Sequence, residues 1–244
     1  MAIYFKEIKK EYKTFGEKVL QFDNVLSKIN IELPECFKII NPYNGINKDN
    51  IEKITKKFYS KFYNDNNTRR LIIGSSPARR GTALTGIPYE DNEHLQNTTG
   101  IYIDKFYVNK SSSNFLYDVI ENYGGSEKFY SKFYMNFVCP LGIVRITNKG
   151  NEVNCNYYES KKVQQLLYSF IVESIEKQLE FGIDTEVVYC IGSGENYTFL
   201  NKLNDKYHWF KRIIPLEHPR YIMQYNKDKK DEYMKKYLDA LNIK

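Results

Sequence analysis

Apolar residues recur at helical spacing early in the chain: Phe5, Ile8, Tyr12, Phe15, Val19 and Phe22 fall near one face before Pro34 interrupts the pattern. A second helix is predicted over residues 51–63. RRLIIGSS then reads as a short buried strand that stops abruptly, because aliphatic and β-branched residues give way to Gly, Ser and Pro. Residues 77–97 show little periodicity, and a long structureless loop inside a compact domain is usually functional. Residues 112–123 predict a helix stopped by Gly124 and Gly125. FYMNFVCPLGIVRIT is a second apolar strand region, broken at Cys139-Pro140-Leu141-Gly142, and Asn148-Lys149-Gly150 marks a turn that introduces a hairpin. The clearest helix covers residues 160–181, where Val163, Leu166, Leu167, Phe170, Ile171, Ser174, Ile175 and Leu179 repeat ahead of Gly182. TEVVYCIGSG is a third strand entering a helix over 195–203. HWFKRIIPLEHP is a fourth, stopped by proline, and a polar helix over 227–241 follows.

Strands alternating with helices imply parallel neighbours, since parallel strands need crossover connections. The expected fold class is therefore α/β: a three-layer α/β/α sandwich around a central, mainly parallel four-stranded sheet. Residues 1–244 are expected to form one domain, with residues 1–65 as a helical extension packed on it. Ligands of such sheets sit beyond the carboxyl ends of the strands. Those ends carry Gly74-Ser75-Ser76-Pro77, Asn136 with Cys139-Pro140, Gly192-Ser193-Gly194 and Glu217-His218-Pro219-Arg220, which would converge on one rim.

Composition narrows the choices. A chain of 244 residues can bury a sizeable core without disulfides or metal. Its 36 basic and 30 acidic residues give +6. Between Lys202 and Lys236 ten Lys/Arg face five Asp/Glu, and Arg69, Arg70, Arg79 and Arg80 form a second basic group. Such patches suit phosphates, although Lys is abundant throughout and solvated surface charge is the plainer reading. No apolar run reaches membrane-spanning length and the first residues carry no secretory signal pattern, so a cytoplasmic protein without a membrane partner is expected, and a monomer. Cys36, Cys139, Cys155 and Cys190 form no C-x-x-C pair, which suits reduced, mostly buried thiols and gives no reason to expect a metal or other cofactor. GSSPARRGT lacks the G-K-[S/T] ending of a phosphate loop, and Pro77 removes one amide such a cradle would use. GSGEN lacks the full G-x-G-x-x-G spacing and reads as a simple strand-to-helix turn.

Of the three histidines, His94 lies in the loop and His208 begins a predicted strand, where packing or solvation accounts for them. His218 sits between a strand end and Pro219, where a neutral imidazole can be held rigidly and donate to charge developing on a leaving group. G-S-S-P-A-x-x-G-x-x-x-T-G-I-P-Y, Gly74 to Tyr89, resembles the first motif of the uracil-DNA glycosylase superfamily in its single-strand-selective monofunctional branch. M-N-F-V-C-P-L, Met135 to Leu141, resembles that branch's strand with the pyrimidine-reading asparagine, and L-E-H-P-R, Leu216 to Arg220, its second catalytic motif. Order and rough spacing agree from about Arg69 to Gln224. The N-terminal helices and Ile222-Met223-Gln224-Tyr225 look more like a bacterial glycosylase-like subgroup.

The resemblance implies roles residue by residue. A glycosylase must extrude its nucleotide, because the glycosidic bond is out of reach in the stack. Tyr89 would stack on the flipped base, and Asn136 would pair with the pyrimidine edge, an amide offering both donor and acceptor. Gly74, Ser75 and Pro77 would shape the base pocket. His218 would stabilise the departing base at its carbonyl oxygen. Arg220, Tyr221, Ile222 and Met223 would approach the DNA, the arginine at phosphate and an apolar residue as a wedge, with Arg79 and Arg80 on further phosphates.

One departure matters. Where the monofunctional branch has the asparagine that positions the attacking water, this chain has Ser76, which can hold a water but cannot act as a base near neutral pH. Some branches draw a carboxylate from just beyond this motif, which makes Asp91, and second Glu90, candidates to orient the water. The expected activity is hydrolysis of the N-glycosidic bond of uracil or another deaminated base in single- or double-stranded DNA, as in base-excision repair. A catalytically weak or silent DNA- or nucleotide-binding protein and a small-molecule nucleosidase are the alternatives.

Overall fold

The computed structural model describes residues 4, 5, 13–100 and 111–243; Ile8 and Tyr12 of the first apolar stripe lie outside them. The first helix, α1 (Phe15–Leu26), starts at Thr14, whose hydroxyl accepts from the Glu17 amide while the Glu17 carboxylate takes the Thr14 amide. Phe15, Val19, Phe22 and Leu26 bury one face against α2 (Lys48–Phe62), which turns Ile54 and Phe58 into the same apolar cluster. Gly16 permits the close approach: a Cβ there would lie 2.8 Å from the Tyr59 carbonyl oxygen.

Two sheets follow. β1 (Phe37–Ile40), β4 (Gly142–Ile146) and β5 (Glu152–Cys155) form a small antiparallel sheet in the order β1–β4–β5. The hairpin at Asn148-Lys149-Gly150 joins β4 to β5, while β1 lacked any sequence signal because it is four residues long and alternates weakly. β2 (Arg69–Gly74), β3 (Phe133–Phe137), β6 (Ile183–Ile191) and β7 (Arg212–Leu216) form the central sheet, all parallel, in the order β3–β2–β6–β7. After β3 the chain returns to the other side of β2, so the order reverses between β2 and β6, and a crevice opens beyond Gly74 and Ile191.

Adjacent residues of β3 separate the two outer layers. Phe133 meets Tyr123 at the end of α5 (Ser111–Tyr123) and Phe129 in α6 (Ser126–Tyr130). On that side Tyr189 donates to the Ala240 carbonyl of α10 (Lys230–Leu241). Tyr134 points the opposite way, onto Phe15 of α1 and onto Phe181, just past α7 (Lys161–Leu179). Helices therefore cover both faces of a continuous apolar sheet, the expected three-layer α/β/α arrangement.

Other expectations are corrected. The region over 77–97 contains α3 (Thr82–Thr85) and α4 (Asn92–Thr99), too short for a periodic signal. His208 caps α8 (Glu195–Tyr207) in a left-handed conformation, φ 54°, rather than opening β7. After β7 the chain turns directly into α9 (Pro219–Tyr225). Arg69 and Arg70 leave the basic surface. Arg69 is fully buried, paired with Asp65 at 2.8 Å and 4.8 Å from the Phe15 ring centroid; Arg70 reaches Asp184 and the Ile243 carbonyl. Both sit where β2 begins, at the sheet edge opposite the crevice. Among the described residues no helix is long and apolar enough to cross a membrane.

Candidate active site

The loop after β2 is tied down by its own carbonyls. Gly74 accepts from the Val138 amide at 2.8 Å and Ser75 from the Cys139 amide at 2.9 Å, which fuses it to the end of β3. Gly74 also lets an aromatic cross the strand end, since a Cβ there would stand 2.1 Å from the Tyr89 hydroxyl oxygen. Tyr89 holds a left-handed φ of 61°, unusual for a bulky residue, with its amide donating to Thr82 Oγ1 at 3.3 Å. That strain returns the ring over the crevice, with its centroid 5.6 Å from Phe137 and 6.3 Å from His218.

His218 is the N-cap of α9 and Pro219 follows at the first helical position. Its Nδ1 accepts the Arg220 amide at 3.1 Å, so the neutral ring carries its proton on Nε2. Burial, aided by the Arg220 charge, pushes its pKa down to about 4. Near neutral pH the group is thus an uncharged donor with a defined tautomer.

The two carboxylates divide sharply. Asp91 is fully buried and saturated: Oδ1 takes the Glu93 and His94 amides as the cap of α4, and Oδ2 meets His94 Nδ1 and Ser113 Oγ, both at 2.6 Å. Despite burial, these bonds hold its pKa down at about 2. It does not border the crevice, so the first-choice water-orienting role is corrected to a structural one. Glu90 does line the crevice, with the Tyr130 and Tyr117 hydroxyls donating to its oxygens at 2.6 and 2.7 Å. Burial raises its pKa to about 7.

Asn136 is the second correction. Its Nδ2 donates to the Tyr134 hydroxyl at 2.6 Å and its Oδ1 accepts the Phe137 amide at 2.9 Å, on the face of β3 turned to α1. Phe137, the next residue, borders the crevice instead. Parity along a strand decides which side chain points where, and a strand buried on both faces hides its parity in the sequence.

Residues singled out for DNA also separate. Arg79, Arg80, Arg220 and Tyr221 border the crevice, and Tyr221 is exposed, its ring 6.1 Å from that of Tyr225. Ile222 is wholly buried and Met223 is packed against the core, so neither stands out as a wedge. Gly74 and Pro77 shape the loop from behind; Ser75 and Ser76 line the opening. Sequence reasoning missed Asn156, which accepts from Ser75 Oγ at 2.8 Å and Ser76 Oγ at 3.3 Å. It arrives on the loop after β5, and an unremarkable NCNYYE run gave no sign of it. Among the described residues no group of three or more His, Cys, Asp or Glu is placed to hold a metal ion. The thiols of Cys139, Cys155 and Cys190 are buried, which pushes each up to about 12.

These side chains enclose a cleft of about 670 Å³ at the carboxyl edge of the sheet, large enough for a nucleotide-sized ligand. The family model described as the uracil DNA glycosylase superfamily matches residues 60–242. The crystal structure of wild-type SMUG2 from Pedobacter heparinus superposes with a TM-score of 0.89 at 43% identity, covering 94% of this chain and 97% of that one. No curated protein sequence resembles the chain closely enough to count as a match. A family match over most of the chain, together with a relative this similar over nearly its whole length, places the chain in the uracil-DNA glycosylase superfamily.

Proposed function

We propose that this protein is a monofunctional DNA glycosylase that hydrolyses the N-glycosidic bond of uracil, or of another deaminated base, and leaves an abasic site in DNA. The observation that carries the reading is the convergence of Tyr89, Phe137 and His218 on one cleft, with Nδ1 of the imidazole accepting so that a neutral ring keeps its proton on Nε2. An extruded base stacks on the wall formed by the adjoining Tyr89 and Phe137 rings, which compensates for the stack it left. As the bond from C1′ to the base breaks, its electron pair moves onto the base, and the His218 N–H stabilises the carbonyl oxygen that takes up this charge. Water bonds to C1′, and the proton it sheds ends on the released base. Arg79, Arg80 and Arg220 neutralise phosphates at the rim, and Tyr221 lies beside the vacated position.

Phe137 alters how the base is read. On this face of β3 a base meets an aromatic ring rather than an amide, so its polar edge is read by groups elsewhere in the cleft lining. A second reading, a silent or weak enzyme that binds DNA through this cleft, is supported because Ser76 stands where the resemblance leads one to expect an asparagine and Asn136, its expected base reader, is turned to Tyr134. Incubation with single- and double-stranded oligonucleotides carrying one uracil, followed by alkali, separates the two. Strand cleavage at the uracil is expected; binding without cleavage would favour the silent protein, and release of base from free deoxyuridine alone would favour a nucleosidase.

A further inference from the structure

We infer that Asn156, oriented by Glu159, is a positioning residue for the attacking water and acts through Ser76; the inference rests on the glycosylase reading. Glu159 Oε1 accepts both the Asn156 backbone amide, at 2.7 Å, and its Nδ2, at 3.0 Å. This clamp sets which end of the side-chain amide faces where. Nδ2 is turned to the carboxylate, so Oδ1 faces the loop after β2, where the Ser75 and Ser76 hydroxyls lie at 2.8 and 3.3 Å. An amide oxygen only accepts, so both serines donate to it.

That direction matters for catalysis. A water about to attack C1′ must keep a lone pair for the carbon and give its hydrogens to acceptors. A freely rotating serine would donate to the water as readily as accept from it, and donation would occupy that lone pair. With its proton committed to Asn156, the Ser76 hydroxyl offers the cleft only lone pairs, and donating makes it a stronger acceptor. Of the two serines, Ser76 stands where the resemblance places the water-positioning asparagine, which makes it the acceptor for water. The pair thereby supplies the fixed carbonyl-like acceptor that a serine alone lacks. No bond in the relay breaks: Ser76 keeps its proton, the water oxygen bonds to C1′, and the bond to the base is the one lost.

The clamp also explains why the small sheet belongs to the site. Gly142, at the start of β4, lies against the first loop, where a Cβ would be 2.8 Å from the Pro77 carbonyl oxygen. β5 pairs with β4 and delivers Asn154, whose Oδ1 accepts the Arg79 amide at 2.9 Å, and then Asn156. The small sheet, of which the sequence foretold only the hairpin, thus braces the loop that carries Ser76.

The test is single-turnover excision of uracil from an oligonucleotide by wild type, Ser76→Ala, Asn156→Ala, the double alanine variant, Asn156→Asp, and Asn156→Asp with Glu159→Gln, each checked by thermal melting. Asn156→Ala and Ser76→Ala are expected to slow the chemical step about 10- to 100-fold with KM unchanged, as for a misplaced reactant. The double alanine variant should be no slower than Ser76→Ala, since the two act in series. Asn156→Asp should be impaired by carboxylate repulsion, and Glu159→Gln should restore it by donating to the new carboxylate; this pair decides the matter if Asn156→Ala fails to fold. Wild-type excision with a full rate in Asn156→Ala, multiplying losses in the double variant, or no rescue by Glu159→Gln would overturn the relay alone. Absence of excision by wild type would overturn the relay and the glycosylase reading together.

Discussion

Gly74→Ala offers a severe test of how the aromatic wall is built. The added Cβ would stand 2.1 Å from the Tyr89 hydroxyl oxygen, 3.0 Å from Phe137 Cδ1 and 3.1 Å from Tyr89 Cζ. To regain the 3.4 Å at which ordinary contact begins, the hydroxyl must retreat by about 1.3 Å. Tyr89 has little freedom to do so, because its φ of 61° is already held against sterics by the turn that carries it. The ring must therefore leave its place 5.6 Å from Phe137 and 6.3 Å from His218. Overpacking of this kind costs about 1–3 kcal/mol of stability, and a shift of about 1 Å in a positioning group can cost about 100-fold in rate. Excision kinetics on a uracil oligonucleotide, with denaturant unfolding alongside, measures both. Tyr89→Phe removes the atom at 2.1 Å and leaves the nearest contact near 3.0 Å, so Gly74→Ala with Tyr89→Phe should recover most of the lost activity. A fully active Gly74→Ala enzyme, or a double variant no better than Gly74→Ala, would refute the packing argument.

Further outcomes follow from the same geometry. Glu90 is raised from 4.5 to about 7, so the folded state holds a proton the unfolded chain gives up; the stability of wild type relative to Glu90→Gln should be highest below pH 4.5 and fall by about 3 kcal/mol as pH rises through 7, and a pH-independent difference in urea unfolding would contradict this. Asp91→Ala should cost about 1–2 kcal/mol through the lost cap of α4 while leaving the excision rate of the folded enzyme near wild type; loss of turnover without loss of stability would restore its catalytic candidacy. Ile222→Ala should destabilise by about 2–5 kcal/mol as a core truncation, with oligonucleotide affinity unchanged by filter binding, whereas weakened DNA binding at full stability would make it a wedge after all. Arg220→Ala should weaken binding equally for all sequences and reduce the slope of log affinity against log salt by about 0.7–0.9; an unchanged slope would place Arg220 off the phosphates.

Much of the layout was legible because it rests on local rules. The strands that end in Gly74, Ile191 and Leu216 stop at turn residues, and the long stripe from Val163 to Leu179 leaves no choice but an amphipathic helix. His218 could be singled out because a histidine followed by proline at a strand end is both rigid and placed at the rim. Other features depend on information that a single chain does not display. Asn136 and Phe137 are neighbours in a strand buried on both sides, so only the packing of Tyr134 against α1 reveals which of them faces the cleft. Ile222 and Tyr221 are adjacent on a helix of seven residues, too short for its apolar face to be recognised. Asn156 reaches the serines from 80 residues away along the sequence, through a sheet held together by pairing rather than by any motif.

The central claim is that one base stacks on the aromatic wall of Tyr89 and Phe137 with its carbonyl oxygen presented to His218. A crystal structure of the His218→Ala variant bound to an oligonucleotide with a single uracil examines this directly. The account predicts an everted uracil stacked on the wall of those two rings, with a carbonyl oxygen facing the position His218 Nε2 would occupy and phosphates beside Arg79 and Arg220. A uracil left in the DNA stack, or bound away from those rings, would contradict it.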